Sequence, residues 1–98
     1  MTRRIRLSVN DSPIEMDYFV QGFIDHTVYG MVSSLEGIKD IGDIEIEING
    51  NDVNIFVNEK AVPLNDFVAT IVSSTVRGMV SSLKGIEKTE RIKIAIQR

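Results

Sequence analysis

Tyr29–Ile48 reads YGMVSSLEGIKDIGDIEIEI, and Arg77–Ile96 reads RGMVSSLKGIEKTERIKIAI. The two stretches stand 48 residues apart and the match extends without a gap. Of the 46 pairs formed by adding 48 to residues 5–50, 17 are identical. A unit repeated at a fixed period is one supersecondary piece that needs its neighbour to complete a core. Two copies lead to a closed, pseudo-symmetric domain and not to a solenoid. Residues 1–98 are therefore read as a single domain with internal repeats over 5–50 and 53–98.

Working outward, each copy opens on strict alternation: Ile5, Leu7 and Val9 in the first, Val53, Ile55 and Val57 in the second. Each closes the same way, on Ile44, Ile46, Ile48 and on Ile92, Ile94, Ile96. Period-two alternation is the mark of a strand with one buried face. Asn49-Gly50-Asn51-Asp52 joins two such runs and predicts a hairpin. Asp17 and Asn65 stand at helix N-cap positions, where a short acceptor side chain satisfies a free backbone N–H. The helices that follow carry Phe19, Val20, Phe23, Ile24, Val28, Met31, Val32 and Leu35, mirrored by Phe67, Val68, Ile71, Val72, Val76, Met79, Val80 and Leu83, a broad apolar stripe at 3–4 spacing. Gly37 and Gly85 are expected to close them in the left-handed conformation.

The order is βαβ–βαβ. It predicts an α+β fold of the ferredoxin-like split-βαβ kind, with helices on one sheet face and the four alternating segments in the order 4-1-3-2. This resemblance is one of architecture across the whole chain, and that architecture hosts many unrelated functions. Residues 14–16 and 62–64 have the spacing of short extended pieces that either pair back as extra strands or do not.

The composition is that of an ordinary globular chain, with 43% hydrophobic and 26% charged residues and a net charge of −3. No apolar run nears the ~20 residues of a membrane span. The segment from Ile5 alternates, unlike a signal-peptide core, so a cytoplasmic location away from membranes is expected. The chain has no cysteine, hence no disulfide and no thiolate chemistry. Residues 1–50 carry a net −5 and residues 51–98 a net +2, a balance unlike the overall basic charge of nucleic-acid binders.

Eight of the identical pairs fall in Gly30–Ile38 and its copy. Thr27, Gly30 and Ser34, repeated as Thr75, Gly78 and Ser82, form a line of small residues expected to let the two helices pack closely. Ser33-Ser34 and Ser81-Ser82 lie near helix C-termini, the wrong end for anions, and are expected to bond back to the preceding turn. His26 is the single histidine, and no His/Asp/Glu set has metal-site spacing on one element. No Gly-rich phosphate loop is present. No enzyme activity, catalytic residue, metal or cofactor is expected.

In the 4-1-3-2 order the open sheet face would divide by charge, with Arg4, Arg6 and Lys93 on one side and Glu45 and Glu47 on the other. Phe56 would be its single aromatic, too few for base stacking, so nucleic acid is not an expected partner. Tyr18 and Tyr29 share a helix stripe with Asp25 and are further interface candidates. The expected function is a small non-enzymatic domain acting by self-association, as a homodimer through the charge-divided face, or through a protein partner. The alternatives are a small-ligand or regulatory module and a weak nucleic-acid binder.

Overall fold

The computed structural model describes residues 4–35, 37–83, 85–86 and 88–97; Arg98, the counterpart of Gly50, lies outside them. Strands β1 (Arg4–Val9) and β2 (Ser12–Pro13), helix α1 (Tyr18–Ser33) and strand β3 (Ile44–Asn49) make the first half. Strands β4 (Asp52–Val57) and β5 (Lys60–Ala61), helix α2 (Asp66–Ser81) and strand β6 (Arg91–Gln97) follow in the same sequence of elements. All six strands form one antiparallel sheet in the order β2-β1-β6-β3-β4-β5.

This corrects the ferredoxin-like order. Counting the four long strands along the chain, the sheet runs 1-4-2-3 and not 4-1-3-2. Both orders contain the same two ribbons, β1 with β6 and β3 with β4; they differ in which ribbon edges join. Two-residue turns decide it. Asn10 and Asp11 both hold positive φ (50° and 69°), as do Asn58 and Glu59 (51° and 69°). These are the paired left-handed conformations of a type I′ hairpin, which asparagine tolerates better than most residues. Each turn folds the next residues back onto the outer edge of β1 or β4, where the Ile14 N–H donates to the Leu7 carbonyl (2.9 Å) and that of Val62 to Ile55 (2.8 Å). With those edges occupied, only β6 and β3 remain free to join the ribbons. The paired-back strands are residues 12–13 and 60–61, just before the expected pieces, with Ile14 and Val62 adding one backbone bond each; the side chains of Ile14, Met16, Val62 and Leu64 pack half-buried against the core.

The central pair is nearly symmetric. Ile46 faces Ile94, with Ile44 opposite Ile96 and Ile48 opposite Ile92. In this register the isoleucines of the two strands are arranged symmetrically about the Ile46–Ile94 pair. All six isoleucines are buried against Ile24, Val28 and Val32 of α1 and Val72, Val76 and Val80 of α2, so both helices cover one face. The Cα extents, 37 × 34 × 18 Å, are those of a single sheet under a single helix layer.

The local signals are realised closely. Asp17 and Asn65 each accept from the backbone N–H three residues on, both at 2.8 Å. Gly50 takes a positive φ of 60° in the β3–β4 turn. Gly37 and Gly85 also take positive φ, but the helices themselves stop at Ser33 and Ser81. There Ser34 and Ser82 hydroxyls donate back to the Gly30 and Gly78 carbonyls (2.8 and 2.9 Å), and the chain tightens before reaching the glycine.

A duplicated asparagine clamp ties the halves together. Asn58 Nδ2 donates to the Asp40 carbonyl (2.9 Å), and its Oδ1 accepts from the Gly42 and Asp43 N–H groups (3.1 and 3.0 Å). Asn10 does the same toward Lys88 (3.2 Å) and Arg91 (2.9 Å). A Cβ at Gly42 would lie 2.5 Å from Asn58 Oδ1, so a side chain there would displace the amide that accepts from the Gly42 N–H.

Two outcomes follow for stability. Ile46→Ala and Ile94→Ala should each cost about 3–4 kcal/mol in denaturant unfolding, with the double variant departing from the sum because the two side chains touch. Additivity would contradict their direct pairing. Asn58→Ala should cost about 1–3 kcal/mol, since it strands two backbone donors and one acceptor and loses a left-handed preference; an unchanged midpoint would show the clamp to be idle.

Candidate interaction surfaces

Two surfaces stand out: the open face of the sheet and the outer side of the helix layer. On the sheet, the register sets Arg6, Ala95, Glu45 and Phe56 in one row and Ser8, Lys93, Glu47 and Asn54 in the next. Lys93 therefore lies beside the carboxylates, not across the sheet from them. Its Nζ is 3.3 Å from a Glu45 oxygen and 3.6 Å from one of Glu47. The basic side chains still stand on the neighbouring strands β1 and β6; what the observed order changes is that β6 also pairs with β3, so the basic and acidic groups meet directly. Arg4 and Arg6 stay exposed on β1, away from the acidic strand, and Phe56 is half-buried. Another ion pair, Arg91 with Asp11 at 2.7 Å, joins β6 to the first type I′ turn.

The hydrogen bond from Lys93 to Glu45, then the charges of Glu45 and Glu47, raise the lysine pKa above its ordinary 10.5. The group is fully exposed, so the effect on stability is small and screened by salt. Its sign follows from linkage: a raised lysine pKa contributes stability that is present in full below the unfolded value and lost as pH climbs through the folded one.

On the helix layer, the N-terminal half of α1 faces the C-terminal half of α2, so the helices run antiparallel. Phe19, Val20, Phe23 and Ile24 line one wall of an apolar groove of about 380 Å³; Gly78, Met79, Ser82 and Leu83 line the other. The expected tight contact through the small residues is not what the glycines show. A Cβ added at Gly30 or Gly78 would meet no heavy atom within 4 Å, and both positions are exposed. Thr27 and Thr75 are half-buried, while Ser34 and Ser82 are exposed, with their hydroxyls turned back to the glycine carbonyls.

Four side chains that the 3–4 spacing assigns to the core lie outside it. Phe19 is 74% exposed, Phe23 55%, Phe67 72% and Ile71 48%. The rings of Phe19 and Phe23 lie together, centroids 6.1 Å apart and tilted by 44°. A continuous apolar stripe is the usual mark of a buried helix face, and the signal that part of this one lies outside the core is its excess width. A sheet contacts only part of a helix circumference, and the buried set (Ile24, Val28, Val32 and their counterparts) already fills that arc.

The helices carry few charges. Asp25 is buried, and Asp66 and Arg77 take the positions equivalent to Tyr18 and Tyr29, on the flank away from the groove. Arg77 Nη2 donates to the Gly50 carbonyl. Tyr18 is 84% exposed and Tyr29 41%, so that flank holds the two tyrosines apart from the phenylalanines. His26 is exposed. Among the described residues no group of three or more His, Asp or Glu side chains could hold a metal ion, and no helix is long and apolar enough to cross a membrane.

In an NMR titration, the Lys93 ammonium should deprotonate above the ordinary lysine value, and Glu45→Gln should lower its pKa more than Glu47→Gln does. Equal effects would contradict the ranking of the two partners. Comparisons with protein-family models, curated proteins and solved structures found no match to this chain, so the use of these surfaces follows from their chemistry alone.

Proposed function

We propose that this is a non-enzymatic interaction domain that docks protein on its helix layer. The observation that carries the reading is the exposure of Phe19, Phe23, Phe67 and Ile71 on helices that carry few charges, with Asp66 and Arg77 standing on the flank away from the groove. Surface helices normally turn charged and polar residues to water. A contiguous apolar patch on a soluble surface marks a place where something binds, and interface cores are rich in aromatics and methionine and poor in charge. The open sheet face is the weaker candidate, because Lys93 is already engaged with Glu45 and Glu47 of its own chain. That engagement and the half-buried Phe56 also leave little for nucleic acid to stack on or pair with.

The groove favours a second reading, a small apolar ligand held between the helices. Its size is within the range of small-molecule sites. The walls, however, expose more of Phe19 than a pocket that encloses its ligand would. A thermal-shift screen separates the two, since a ligand bound only by the native state raises the melting temperature as its concentration rises.

The docking reading is tested with a photo-crosslinking residue, p-benzoylphenylalanine, placed at Phe23 or at Asn54 on the open sheet face. Protein adducts should form from position 23 and be scarce from 54. The reverse pattern, or none from either, defeats it. Phe19→Ser and Phe67→Ser should change unfolding free energy by no more than about 1 kcal/mol, as exposed positions do, while abolishing adducts from position 23. A large loss of stability would place those rings in the core.

A further inference from the structure

We infer that the helix layer binds a second copy of this chain, helix layer to helix layer, with the phenylalanines of each copy seated over the glycines of the other. The inference rests on the docking reading above and names its occupant.

The antiparallel helices set two raised apolar pairs, Phe19 with Phe23 and Phe67 with Ile71, beside two low places built from small residues. One low place is Gly78 and Ser82, which face Phe19 and Phe23 across the groove. The other, by the 48-residue offset, is Gly30 and Ser34. Knobs and hollows therefore alternate around one centre. A surface of this form is self-complementary: a second copy turned over onto it meets each knob with a hollow, as an isologous contact requires. A glycine inside a helix costs about 1 kcal/mol relative to alanine. Gly30 and Gly78 are kept in both copies although nothing in their own chain approaches within 4 Å of where a Cβ would stand. A partner's side chain entering that space gives the open position a use.

The area is sufficient. The four knobs together expose about two and a half whole side chains per copy. At roughly 200 Å² each, that is on the order of 500 Å² per copy and about 1,000 Å² for the pair. The remaining groove walls and the serine edges add to this, so the pair clears the roughly 1,000 Å² that a specific interface needs. The charges agree as well. The carboxylates and arginines of the open sheet faces would point away from each other on the outside of a four-layer assembly. They would be separated by more than the ~10 Å over which exposed charges act at 0.1 M salt.

The test is sedimentation of the full chain across a concentration series, at low and high salt. A dimer should form in the micromolar range and be insensitive to salt. Phe19→Ser with Phe67→Ser should weaken it at least about tenfold, by removing the knobs. Gly30→Leu with Gly78→Leu should weaken it as strongly by filling the hollows, yet leave the monomer folded, because the added side chains meet open space. This pair separates an interface from a folding defect. Circular dichroism of each variant at dilute concentration confirms that the monomer is intact. Dimers unaffected by the leucine pair, or weakened by salt and by Arg6→Glu instead, overturn the inference. So does a chain that stays monomeric at several hundred micromolar. In that last case, adducts between position 23 and a different protein leave the docking function standing, whereas their absence removes both.

Discussion

The antiparallel pairing of β3 with β6 around Ile46 and Ile94 is the constraint on which the rest of this molecule depends. Both strands turn the same face toward the helices, and each carries three isoleucines at the inward positions. Isoleucine suits the role: it is β-branched, favours the extended backbone and fills the pleat of a fully buried strand. Once the two strands meet, both helices are brought to the same face and the first strand of each half pairs with the last strand of the other. Each half is thus completed by its mate, and neither first strand finds its long partner within its own 48 residues.

That arrangement has a cost that shapes the surface. One sheet and one helix layer bury only the sheet-facing arc of each helix, so any apolar residue beyond that arc is left in water. Phe19, Phe23, Phe67 and Ile71 lie beyond it. The same geometry changes the meaning of the repeated glycines. In a tightly packed helix pair they would be contact points; here they are the floor of an open depression, and the nearby serines bond back to their carbonyls and leave the space clear.

The opposite face is governed by register. Because β6 is central, its lysine falls between two glutamates of β3, and local pairing absorbs charge that the other order would have left facing outward. The arginines of β1 are spared this only by standing one strand further out. Polar chemistry on the sheet is thereby turned inward to the chain itself, while the apolar helix layer remains unsatisfied.

The sequence alone settles the four long strands, the two helices and their N-caps, the inward face of every long strand, the β3–β4 turn and the back-bonded serines, because each depends on interactions within a few residues: a capping oxygen at 2.8 Å, a period of two, a glycine at positive φ. It did not determine the strand order. The two candidate sheets share both ribbons and bury the same alternating residues, so no periodicity distinguishes them. The choice fell to the type I′ turns at Asn10-Asp11 and Asn58-Glu59, which cap the outer edges of β1 and β4, and to the clamps from Asn10 and Asn58 onto the other half. The identity of those two asparagines was visible in the repeat, but their partners lie at Lys88 and Asp40, and only folding brings them within reach. The exposed phenylalanines were settled in the same way. Helical spacing places them on a stripe, whereas the arc that a sheet can cover is a property of two packed layers.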